Sequence, residues 1–80
     1  MMFKRKSWAK PFPERIAKRV AKLDSQNLNM WADQLLYDIG RSLSAFNRDQ
    51  TEVNMKQLST EAEALHAIVD ELNKRMSRRF

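Results

Sequence analysis

Eighty residues with one histidine, one glycine and no cysteine make a single small domain and exclude several classes at once. No disulfide framework or thiolate-bound zinc holds the chain together, one glycine cannot build a phosphate-cradling loop, and no apolar run approaches the roughly 18 residues of a membrane span. The net charge of +5 is unevenly spread: residues 1–22 carry eight bases against Glu14 alone, residues 23–73 nine acids against three bases, and residues 74–80 four bases and no acid.

Residues 1–12, MMFKRKSWAKPF, read as a basic arm that interleaves Phe3, Trp8 and Phe12 with Lys4, Arg5, Lys6 and Lys10. Pro11 and Pro13 bar a regular helix through its end. Residues 13–80 then read as one helical domain. Pro13 suits a first helical turn and Glu14 its positive end, so the spacing predicts a first helix over about 13–24. Ile16, Val20 and Leu23 form its apolar stripe, and Arg15, Lys18, Arg19 and Lys22 cover the remainder. So short a helix is unstable alone in water and must dock its stripe on the rest of the chain.

Residues 25–27 read as a connection in which Asn27 caps a second helix over about 28–47. Leu28, Ala32, Leu35, Ile39, Leu43 and Phe46 share one face of it, flanked by Trp31 and Leu36. Gly40 interrupts an otherwise good helix former at about 1 kcal/mol against alanine, which points to close packing of a neighbouring helix there. A second, quieter stripe runs along the far side through Met30, Asp33, Tyr37, Gly40 and Ser44. A tight turn at 47–49 folds the chain back, because connections this short join antiparallel neighbours.

The third helix, about 50–78, carries the strongest pattern. Thr51, Met55, Leu58, Ala62, Leu65, Val69, Leu72 and Met76 follow at alternating four- and three-residue intervals, an unbroken a/d seam of the kind a coiled coil uses. Asp49 with Glu52 three residues on reads as its capping box. The expected fold is therefore all-α: a small three-helix arrangement built on an antiparallel hairpin, with helix 2 on this seam and a basic N-terminal arm.

Chemistry-bearing motifs are scarce. His66 follows a seam residue on a helix rim, and the acids Glu61, Glu63, Asp70 and Glu71 read as a solvated face, so no catalytic residue, metal or cofactor is expected. A helix-turn-helix with its turn at Gly40 conflicts with the apolar stripe that continues through Leu43 and Phe46. A ribbon-helix-helix needs a strand at 3–10, where alternation is poor.

The hairpin returns the C-terminal bases to the end where the first helix lies, and that clustering of positive charge is the main functional clue. The expected function is a non-enzymatic, cytoplasmic accessory or regulatory protein that binds an acidic partner, DNA or RNA with little sequence preference. Lys4, Arg5, Lys6, Lys10, Lys18, Arg19, Lys22, Arg78 and Arg79 would contact phosphates. The alternative is a protein-interaction module, an adaptor or oligomerising hairpin docking on a larger complex, with Met30 and Tyr37 at its interface. Peripheral contact with anionic lipid through Phe3, Trp8 and Phe12 is a third reading. Self-repulsion of the basic end favours a monomer in isolation, provided the first helix folds over the last turns of the third.

Overall fold

The computed structural model describes residues 12–79, with side chains through Ser77. Three helices make up the fold: α1 (Glu14–Lys22), α2 (Ser25–Arg48) and α3 (Glu52–Arg79). The all-α expectation holds, and no strand occurs among the described residues. The strand that a ribbon-helix-helix would need, at 3–10, lies outside them.

The first connection is one residue shorter than the sequence pattern suggests, the second keeps three residues but lies two positions later, and the caps shift accordingly. Leu23 and Asp24 alone are extended between α1 and α2. The Asp24 carboxylate accepts a hydrogen bond from the Asn27 backbone N–H at 2.8 Å, so Asp24, and not Asn27, caps α2, and Ser25 already belongs to the helix. At the other corner Asp49 ends α2, its N–H donating to the Ala45 carbonyl at 2.9 Å. Thr51, and not Asp49, caps α3 by accepting from the Asn54 N–H at 3.2 Å. The Asn54 side-chain amide also donates to the Asp49 carbonyl at 2.8 Å, which holds the corner closed.

Packing follows an up-down-up order. α2 runs antiparallel to α3: the Ser42 hydroxyl donates to the Glu61 carboxylate at 2.6 Å, and fifty residues apart in sequence Arg75 donates to the Ser25 hydroxyl at 3.1 Å. α1 runs parallel to α3 along its C-terminal half. The Phe12 ring lies 5.5 Å from that of His66, and the end of α1 meets Arg75 nine residues further along. The core is one cluster of Phe12, Val20, Leu28, Leu35, Ala64, Ala67 and Ile68, with Ile16, Ala17, Leu23, Trp31, Ala32, Leu65 and Leu72 packed around it. Phe12 is thus core, although it lies within the stretch that reads as an arm.

The inward face of α3 is the main departure from the sequence reading. Ala64, Ala67, Ile68 and Glu71 are buried, whereas the seam residues Met55, Val69 and Met76 are 40%, 55% and 56% exposed. One residue is about 100° of helix, so a face centred on Ile68 is turned by roughly a quarter from one centred on Val69. Glu71, at 8% exposure, and Glu61, bonded to Ser42 on α2, therefore leave the solvated face expected for the acid cluster and sit between helices.

Gly40 also departs from expectation. A methyl group built there would meet nothing within 4 Å, so no helix packs closely against it and α2 continues through it to Arg48. Gly40→Ala is therefore expected to raise stability by about 0.5–1 kcal/mol, because alanine is the better helix former and nothing obstructs its side chain. A rise in the thermal midpoint would register this, and a fall would mean that the glycine is structurally required.

Candidate interaction surface

The residue that joins all three helices is Arg75. Its Nε donates to Glu71 at 2.9 Å one helical turn back, one Nη reaches Ser25, and the other donates to the Val20, Ala21 and Leu23 carbonyls. The last carbonyls of a helix have no intrahelical partner, and a guanidinium with five donors in a rigid fork satisfies several of them at once. Arg75 is thus the C-terminal cap of α1 supplied from α3, held in aim by the buried Glu71. The (i, i+4) spacing of Glu71 and Arg75 is the only sequence signal for this role, and it is shared by many exposed pairs.

Docking of α1 divides its bases into two groups. Arg15, Lys18 and Lys22 are exposed at three- and four-residue spacing, and so lie on one outward face. Arg19 turns toward α2, where its guanidinium stacks 4.7 Å above the Trp31 ring. Arg15 belongs to the outward row on equal terms with Lys18 and Lys22. Sequence reasoning left it out of the site because helical phase alone does not say which way the row points.

The basic row is not free of acids. Lys18 lies 3.8 Å from Glu14, and Lys74 lies 3.3 Å from Asp70. These four residues line one groove between α1 and α3. With Arg75 committed to the clamp, the bases of the 74–79 run that remain for a ligand are fewer than its charge suggests. Lys4, Arg5, Lys6 and Lys10 lie outside the described residues. Arg78 and Arg79 extend the α3 backbone, with side chains beyond the described set.

Exposed apolar side chains stand among the polar ones on the other faces. Met30 and Tyr37 are 60% and 63% exposed on α2, and Arg41 sits 5.9 Å from the Tyr37 ring, a weak cation–π contact at a wet site. On the other edge of α2, Leu36 and Leu43 are exposed beside the open seam of α3. His66 is exposed and its ring tilts against Phe12. No helix of the described residues is long and apolar enough to cross a membrane.

The described residues thus define a three-helix bundle that presents one basic and one apolar surface. No protein-family model matches the chain, and no curated protein or solved structure does so either.

Proposed function

We propose that the protein is a non-enzymatic cytoplasmic accessory module whose basic pole binds a polyanion, DNA or RNA, with little sequence preference. The reading rests on the docking of α1 along the C-terminal half of α3, which brings Arg15, Lys18 and Lys22 to the same end as the basic run 74–79. Lysines and arginines that neutralise phosphates release condensed counterions, and this sequence-independent term alone gives micromolar-scale binding at moderate salt. The four bases of residues 1–12 add to the same charge in sequence. Arg19, over the Trp31 ring, offers a further cation beside the row.

Fluorescence anisotropy with labelled single-stranded and duplex oligonucleotides tests this. Affinity is expected to fall steeply with salt, with a log–log slope of about 0.9 per duplex phosphate contacted. Replacing Arg15, Lys18 and Lys22 together by glutamine is expected to lower that slope by about 2–3 without loss of helicity, since all three side chains are exposed. Absence of any anisotropy change at low salt on either nucleic acid would remove the proposal.

The apolar surface favours a second reading, a protein-interaction module. Its specific support is the open row on α3 together with the exposed Met30 and Tyr37 on α2.

A further inference from the structure

The seam of α3 is a coiled-coil stripe that the other two helices cover only along one edge, where Leu65 and Leu72 touch the core. Thr51, Met55, Leu58, Ala62, Leu65, Val69, Leu72 and Met76 keep the a/d spacing for the whole length of the helix, yet α2 and α1 both pack on the adjacent face around Ile68. Within this row Met55, Val69 and Met76 are exposed and Leu58, Leu65 and Leu72 only half-buried. Leu36 and Leu43, 57% and 46% exposed, continue it onto the edge of α2 that faces away from α1. An apolar row of constant 3.5-residue period is matched by another helix of the same period, whose side chains fit between its own.

We propose that this face is the interface of a two-fold dimer in which α3 packs antiparallel to α3 of a second copy, independently of any nucleic-acid binding. Three observations select this occupant. First, charge: α3 is acidic in its first half, with Glu52, Glu61 and Glu63 against Lys56, and ends in the basic run 74–79. The antiparallel arrangement lays each basic end along the Glu52 end of the partner helix, sets Glu61 and Glu63 at the centre and keeps the two basic poles apart. The helix dipoles favour the same sense. Second, the flank away from α2: the residues that edge the seam there are Glu52, Ser59, His66, whose ring meets Phe12 of its own chain, and Asn73. Reversal sets Glu52 beside Asn73 of the partner subunit and Ser59 beside His66 of the partner subunit, so no like charges meet. Third, size: a seam from Thr51 to Met76 runs about 40 Å, at 1.5 Å per residue and a helix width of roughly 10 Å. With the Leu36–Leu43 edge added, it comes to about 500 Å² per partner, near the roughly 1,000 Å² in total that a specific interface needs.

The expectation of a monomer assumed that α1 covers the last turns of the seam and that association brings two basic poles together. α1 lies beside Ala67, Glu71 and Lys74 and not on the seam, and the antiparallel pairing separates the poles.

Sedimentation velocity on the full chain is expected to show a dimer at micromolar concentration in moderate salt. Val69→Asp places an acid at the middle of the seam twice per dimer. Val69 is 55% exposed in the single chain, so helicity should be unchanged while the dimer weakens by roughly a hundredfold or more, because the new carboxylates are buried unpaired. Tyr37→Asp, on the opposite edge of α2, should leave association intact. Orientation is read separately. The chain has no cysteine, so Ser77→Cys accepts one spin label per copy. Labels separated by about the length of the helix support the antiparallel pairing, and labels in contact overturn it. A chain that stays monomeric at all concentrations, or a dimer that survives Val69→Asp unchanged, overturns the proposal as well.

Discussion

Ile68→Ala is expected to cost about 3–4 kcal/mol, and Val69→Ala, one residue on, well under 1 kcal/mol when measured in dilute solution. Ile68 is fully buried at the meeting point of the three helices. Truncating it removes three methyl or methylene groups from water-free packing and leaves a cavity that rigid helices close only in part. Val69 is more than half exposed, so its removal forfeits little buried area. A domain of this length has about 5 kcal/mol of stability to lose, and the Ile68 variant should be close to its unfolding midpoint in mild urea. Urea titration followed by circular dichroism gives both values. Equal losses at the two positions, or a larger loss at Val69, would mean that the heptad seam faces inward and that the packing described above is wrong.

The second large effect concerns Arg75. Arg75→Ala should cost about 2–4 kcal/mol, somewhat below the usual range for breaking a buried pair, since the arginine side chain is 23% exposed. Two losses combine. Glu71, at 11% side-chain exposure, loses its arginine partner, and the Val20, Ala21 and Leu23 carbonyls lose their guanidinium donor. A helix of nine residues does not hold without tertiary support, so the damage should be local: α1 frays from α3 while the α2–α3 hairpin persists. Native-state hydrogen exchange distinguishes this, with amides of residues 18–23 losing protection before those of 60–70. Arg75→Lys should recover only part of the loss, because an ammonium cannot span the glutamate, the serine and three carbonyls at once. Uniform loss of protection across the whole chain would mean that Arg75 supports the entire fold and has no special hold on α1.

The same two residues show where sequence reasoning succeeds and where it stops. That the chain forms three helices broken near residues 24 and 50 follows from local causes. These are helix-forming composition, apolar spacing of three and four, and short polar residues that compete for backbone hydrogen bonds at the corners. The tight second corner likewise dictates an antiparallel α2–α3 pair, and the clustering of bases at one pole is a consequence of that topology. The caps were misplaced by two or three residues because Asp24, Asn27, Asp49 and Thr51 are all competent caps, and the length of each connection selects among them.

Which face of α3 turns inward is not a local property. The helix carries two adjacent stripes. One is a regular seam of large apolar residues. The other, Ala64, Ala67, Ile68 and Glu71, contains a charge and two small side chains. Hydrophobicity favours the first. The second is chosen because the two alanines let α1 approach closely, and because Arg75, held by Glu71, donates to the Val20, Ala21 and Leu23 carbonyls at the end of α1, where the chain itself supplies only the Leu23 N–H to Val20. A buried glutamate is a poor core residue until its arginine is counted, and the arginine is a surface residue until the carbonyls fifty residues away are brought to it. Sequence by itself determined the helices, their order and the gathering of charge. Tertiary structure decided the packed face, the clamp, the outward row of Arg15, Lys18 and Lys22, and the seam left open, because each depends on the free energy of groups that meet only once the chain has folded.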